Sequence, residues 1–98
     1  MAQVIWSPRA CADLEALIAY IARDAPLTAR RFAQKILHRA ASLKWNPLGG
    51  GYIAEDDAHT YREILQGNYR IIYRASEQVV CVVAVHHAAR LLDVHTLD

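Results

Sequence analysis

Three arginines, Arg62, Arg70 and Arg74, stand among strand-forming residues in REILQGNYRIIYR, residues 62–74. A guanidinium presents a planar fork of donors that fits phosphate or carboxylate, and it stays charged when partly buried. A second set of cations falls on a helical pattern, with Arg31, Lys35 and Arg39 at every fourth residue. Between Thr28 and Ala54 there are five basic residues and no acidic one. Like charges at that spacing repel, so an acidic partner or a nucleic acid would relieve the stripe. The third set is His86-His87, close to Arg90. Histidine titrates near neutral pH and suits proton transfer. Neighbours on a strand point to opposite faces, so each histidine should serve a different side of a sheet.

Each set also has a plainer use. Cross-strand Arg–Glu pairs, and arginine stems lying over tyrosine rings, stabilise a sheet modestly. A basic helix stripe is often a solvated face, and a strand-end histidine often bonds to backbone. No HExxH or CxxC spacing suggests a metal. Gly49-Gly50-Gly51 lacks the Lys-Ser/Thr that would follow in a phosphate-binding loop. Neither a metal nor a cofactor is expected.

Regular elements must hold these side chains in place. QVIW, residues 3–6, is a short β-prone run, and Ser7-Pro8 reads as a helix start with Ser as N-cap. Ala10, Leu14, Leu17, Ile18 and Ile21 then repeat at helical spacing, to an end near Asp24. Thr28 is a plausible second N-cap. Ala29, Phe32, Ala33, Ile36, Leu37, Ala40 and Leu43 form the next apolar stripe, which should stop by Asn46-Pro47. Two amphipathic helices joined by a short link make an αα-hairpin. NPLGGGY, residues 46–52, reads as loop, and EDDAH, residues 55–59, as its acidic continuation.

From residue 61 the period changes. YREILQ and YRIIYR flank Gly67-Asn68, which signals a two-residue β-hairpin. That turn sets Leu65 opposite Arg70, Glu63 opposite Ile72 and Tyr61 opposite Arg74. On the other face it sets Arg62 opposite Tyr73 and Ile64 opposite Ile71. VVCVVAVHH, residues 79–87, is apolar at both parities, so both of its faces should be buried in a central strand. The tail after it has room for one helical turn. The fold class is therefore α+β in the order β-α-α-β-β-β: an N-terminal strand, an αα-hairpin, then a three-stranded antiparallel meander in one sheet. The helices should cover one sheet face. The other face, with its guanidinium groups, should be left free to grip a macromolecule.

A chain of 98 residues, 54% hydrophobic, implies one domain over 1–98 with its own core. A net charge of +1 makes the whole molecule no electrostatic magnet for nucleic acid. Cys11 and Cys81 sit in apolar patterns, and the start MAQVIWSPRA carries no signal sequence, so reduced thiols and a cytoplasmic location are expected. No apolar run approaches the roughly 20 residues that span a bilayer.

The chain resembles the RelE/ParE superfamily of bacterial type II toxins, ParE-like members above all. The likeness starts with VIWSPRACADLEALIAYIARDAP, carrying an A-x-x-D-L element at Ala10, Asp13 and Leu14. It runs through TARRFAQKILHRAASLKWNPLGGG and YREILQGNYRIIYR, and ends on VVCVVAVHHAARLL. The resemblance implies a small toxin that inhibits growth and is neutralised by a cognate, ParD-like antitoxin in a hetero-oligomer. ParE-like members are associated with poisoning DNA gyrase. RelE-like members cut messenger RNA on the ribosome, using basic residues of the sheet and a C-terminal tyrosine or histidine.

Arg62 and Arg70 match basic sheet positions of that superfamily. However, no lysine lies beyond Lys44 and no tyrosine beyond Tyr73, and the tail LLDVHTLD is not basic. That departure favours a ParE-like protein that binds a target over a nuclease. The expected binding residues are Arg31, Lys35, Arg39, Arg62, Arg70, Arg74 and Arg90. In the alternative, a metal-independent ribonuclease, Arg62 and Arg70 would hold phosphate while His86 or His87 moves protons.

Overall fold

The structure, a computed structural model, describes residues 1–97. The elements are β1 (Gln3–Trp6), α1 (Pro8–Ala22), α2 (Pro26–Ala41), β2 (Gly51–Tyr52), β3 (Arg62–Gln66), β4 (Tyr69–Ala75) and β5 (Val79–His87). One five-stranded sheet has the order β1-β5-β4-β3-β2. β1 runs parallel to β5, and every other pairing is antiparallel. The expected α+β order holds, with the short edge strand β2 added inside the glycine-rich loop. Gly50 makes that addition possible: a Cβ there would lie 2.6 Å from the Glu63 carbonyl oxygen.

Local chemistry accounts for most boundaries. The Ser7 Oγ accepts a hydrogen bond from the Ala10 amide at 3.1 Å, and Pro8 opens α1. The second helix starts earlier than Thr28 would place it. Pro26, with φ preset for the first turn, opens α2, and no side chain caps it. At the β3–β4 turn only Gly67 has a positive φ, +58°, which is the demand of a II′ hairpin. Four of the five cross-strand pairs expected from that turn are present. The Tyr61–Arg74 pair is not, because β3 begins at Arg62.

β5 is an interior strand between β1 and β4, one place from the middle of the five. Both its faces are buried, as its composition requires. Across from β4, Ile72 pairs with Ala84 and Tyr73 with Val82, leaving Val83 as an extra, bulged residue. The bulge reverses the alternation. Val80, Val82 and Val85 join the core under the helices, while Cys81, Val83 and Ala84 face the other way.

The expectation of a free second sheet face is overturned. Ile53, Leu92 and Leu97 are buried against Ile72, Cys81, Val83 and Ala84 and close that face. The tail forms a single 3-10 turn, Val94–Thr96, and the Arg9 guanidinium donates to the Thr96 hydroxyl at 2.6 Å. The loop before β3 is anchored by Asp56. Its buried carboxylate accepts the amides of Ala58, Thr60 and Tyr61 at 3.2, 2.7 and 3.0 Å. Burial drives this cover: a sheet whose strands are apolar on both sides must hide both sides. Among the described residues no helix is long and apolar enough to cross a membrane.

Candidate functional site

The arginines of the sheet are placed by the β3–β4 hairpin. Arg70 is only 8% exposed. Its Nε donates to Glu63 Oε1 at 2.6 Å, and its two terminal nitrogens donate to the Glu55 carboxylate at 2.6 and 2.8 Å. That bidentate contact is the strong form of an arginine–carboxylate pair. The hydrogen bonds from Arg70 hold the Glu55 carboxyl below its usual range, against the opposing effect of burial. The same contacts hold Arg70 firmly protonated.

Arg62 is also spent within the molecule. Its Nη1 donates to the carbonyls of Leu48 at 3.0 Å and Gly50 at 2.8 Å, and Nη2 donates to Tyr52 Oη at 3.0 Å. The guanidinium lies 4.2 Å from the centre of the Tyr52 ring, within cation–π range. Where the sequence suggested that Arg62 and Arg70 reach out to an anion, both guanidinium groups are engaged inside the molecule. Both carry the loop of residues 46–55 on the sheet. On the face it shares with Arg62, the Tyr73 hydroxyl accepts the Gly50 amide at 2.9 Å, and burial raises its pKa. Arg74 lies at the exposed end of β4, beside a shallow hollow formed with Thr60 and Val79.

The histidines divide as strand alternation requires. His86 sits across from Arg70, and His87 across from Tyr69. The His86 Nε2 donates toward the carbonyls of Arg90 and Leu91 at 3.2 and 3.1 Å, fixing the start of the tail. His87 Nδ1 accepts the Ala89 amide at 3.0 Å, and its ring meets the Tyr69 ring edge-on with centres 5.2 Å apart. Each histidine thus has a structural duty on its own side of the sheet. No group of three or more His, Cys, Asp or Glu side chains that could hold a metal occurs among the described residues.

The cations of α2 behave differently. Arg31 and Lys35 are exposed, and neither has a hydrogen-bond or ion-pair partner among the described residues. They line a groove of about 320 Å³ between α2 and the hairpin turn, with Phe32, Gln66 and Tyr69. Arg39 is exposed as well and lends its Nε to the Leu65 carbonyl at 3.2 Å. Around the corner a second groove of about 410 Å³ runs between α1 and the end of β5, bordered by Leu17, Tyr20, His87 and Arg90. Tyr69 lies on the wall of both. Its ring is held between Phe32, 4.9 Å away, and His87.

The sequence reading passed over Tyr69, Glu55 and Asp56. Asp56 had a local signal, since aspartate before a polar run favours bonds to the next backbone amides. Glu55 had none, because its partner is 15 residues away.

Two helices laid on one face of a mostly antiparallel sheet, with the first strand returning parallel to the last, make this a type II toxin fold of the RelE/ParE superfamily. The family described as "ParE toxin of type II toxin-antitoxin system, parDE" matches residues 4–92, and the chain belongs to it. A curated relative, Toxin RelE2 of Caulobacter vibrioides, is 39% identical over 92 residues, covering 93% of this chain and all of that one. Among solved structures, the chromosomal ParDE toxin–antitoxin system from P. aeruginosa superimposes with a TM-score of 0.75 at 18% identity, over 89% of this chain and 96% of that one. The YoeB dimer from Staphylococcus aureus gives 0.62 at 14% identity, over 88% and 95%. At such identities the two structures attest the fold.

Proposed function

We propose that this toxin inhibits growth by docking on an essential protein, with DNA gyrase as the target, and that a ParD-like antitoxin neutralises it. One observation carries the first half. Arg62 and Arg70, the sheet cations a nuclease would need, donate to Glu55, Glu63 and backbone carbonyls instead. In-line RNA cleavage requires a cation near the charge that develops on phosphorus, and an arginine paired with two carboxylates brings no net positive charge there. The covered second face points the same way, since an RNA strand laid on the sheet would have to displace the tail. The antitoxin half rests on Arg31, Lys35 and Arg39. These exposed cations face no acid on their own helix, and an acidic segment would complement them.

The test uses purified toxin in two reactions. With gyrase and plasmid DNA, we expect accumulated cleavage complexes or blocked supercoiling. With translating ribosomes, we expect intact message ends. Two features favour the ribonuclease as a second reading: the relative named Toxin RelE2, and the direct cross-strand pairing of Arg70 with His86. Message cut at defined sites, with the cuts lost in His86→Ala plus His87→Ala, would establish that reading and end the first.

A further inference from the structure

The end of β5 leaves part of its backbone unclaimed. β1 pairs with β5 only as far as Trp6 opposite Val82, and Ser7 N–H makes the last rung to the Val82 carbonyl at 2.9 Å. The chain then turns into α1. Beyond that point Asp13 Oδ2 accepts the Val85 amide at 3.0 Å, and the His87 carbonyl accepts the Arg90 amide at 3.0 Å. In the hairpin of β3 and β4, Gln66 and Tyr69 close the turn, so alternation directs the backbone of Arg70 toward His86 and that of Val85 and His87 outward. Two outward groups remain: the carbonyl of Val85 and the amide of His87. No described residue takes either.

The chemistry of these two groups selects the direction of a partner strand. An antiparallel partner needs the N–H and C=O of one and the same residue. Asp13 blocks that at Val85, and the Arg90 amide blocks it at His87. A parallel partner needs the carbonyl of one residue and the amide two residues further on, and places its own residue opposite the one between. That set is the one left open, centred on His86. It also prolongs the row that β1, itself parallel to β5, abandons at Ser7.

We infer that this edge takes an extended segment of the antitoxin, added parallel to β5, with an acidic residue opposite His86 and apolar residues on both sides of it. The inference rests on the reading that an antitoxin binds this toxin, and it adds a second contact, on the other side of Tyr69 from the stripe on α2. The acidic residue falls on the His86 side of the sheet. Arg90 borders the same groove and is exposed, with no ion-pair partner among the described residues. The flanking residues point to the other side, where Ala16, Leu17 and Tyr20 of α1 form the wall. Strand addition takes its affinity from main-chain hydrogen bonds and its specificity from alternate side chains, and this edge supplies both. A helical segment would leave the Val85 carbonyl and His87 amide unpaired.

The probe is a capped heptapeptide with one central glutamate flanked by leucines, titrated into the intact toxin. Its twin carries an N-methyl group on the glutamate amide, which deletes the donor for Val85. The plain peptide is expected to slow hydrogen exchange at the His87 amide at least tenfold. The methylated peptide should bind at least tenfold more weakly, as should the plain peptide to Ala16→Trp, an exposed change that fills the groove. Equal binding of both peptides, or no slowing at His87 at millimolar peptide, overturns the inference. Arg31→Glu plus Lys35→Glu should leave peptide binding unchanged. If that pair of changes abolishes it, the peptide sits on α2 and the edge is not its site. Failure of the antitoxin reading has a separate sign: the co-expressed antitoxin would not bind the toxin at all.

Discussion

Cations sit in two regions of this toxin, and they have opposite fates. On the sheet, Arg70 and Arg62 face acceptors that the fold brings to them: two carboxylates for Arg70, two carbonyls and a tyrosine hydroxyl for Arg62. On α2, Arg31 and Lys35 look into solvent along a groove with no acid on its wall. Arginine occurs in both places, and surroundings decide its use. A buried guanidinium is tolerated only when carboxylates compensate its lost hydration. An exposed one keeps its water and stays available. An arginine in a strand pattern is therefore weak evidence for an anion site until its acids have been found. A helix stripe with no acid within reach is stronger evidence.

The sharpest way to break this contrast is Arg70→Ala. It leaves Glu55 and Glu63 facing one another without their shared cation. A wholly buried pair stripped of one member costs about 3–5 kcal/mol. Glu55 and Glu63 retain 29% and 25% side-chain exposure, so we expect roughly 2–3 kcal/mol here, read as a lower urea midpoint at unchanged slope. Antitoxin affinity of the folded fraction should not change. A variant of wild-type stability would show that the triad is idle.

Next in size is the reversal Arg31→Glu plus Lys35→Glu. Antitoxin affinity should fall about tenfold, or about 1.4 kcal/mol, mainly through slower association that recovers at high salt. Unfolding should barely move, because neither residue holds anything in the free toxin. The two variants are thus expected to be mirror images, one losing stability and the other losing binding. If the helix variant loses stability instead, the contrast collapses.

These outcomes also mark where the sequence could be read and where it could not. Short-range chemistry was visible: Ser7-Pro8 as a helix start, Gly67-Asn68 as a turn, and from that turn the register that sets Leu65 against Arg70. The apolar runs announced a strand buried on both sides, yet nothing local said what would cover its far face. Leu92 and Leu97 do so from the tail, and Ile53 from a loop whose glycines made it look structureless. The partners of Arg70 were half legible. Glu63 follows from the hairpin, whereas Glu55 arrives by a loop closure that Asp56 and three backbone amides hold in place. Long-range pairing of a charged side chain leaves no periodic trace in the chain.

Arg62→Lys is a smaller probe of the same distinction. A lysine keeps the charge but cannot span the carbonyls of Leu48 and Gly50 together with Tyr52 Oη. Losing about one net hydrogen bond should lower stability by about 1 kcal/mol. Faster hydrogen exchange at the Gly50 and Tyr52 amides would locate the loss in the 46–52 loop. Exchange unchanged there would mean that the loop is held without Arg62.

The slightest effect, and the most diagnostic, is expected from pH. Arg70 holds the Glu55 carboxyl below its ordinary value of 4.5. A carboxyl depressed in the folded state contributes stability that is present above that ordinary value and is lost as pH falls through the depressed one. The toxin should therefore lose a share of its stability below about pH 4.5 on acidification, and Arg70→Ala should lose that share of the dependence along with the overall drop. A neutral replacement of the α2 stripe, Arg31→Gln plus Lys35→Gln, should keep the wild-type acid profile of unfolding, because neither side chain holds a carboxyl in the free toxin. Parallel acid titrations of the two variants thus separate a cation that the fold consumes from cations that it leaves for a partner. An acid slope that survives in Arg70→Ala would assign it to carboxyls other than Glu55.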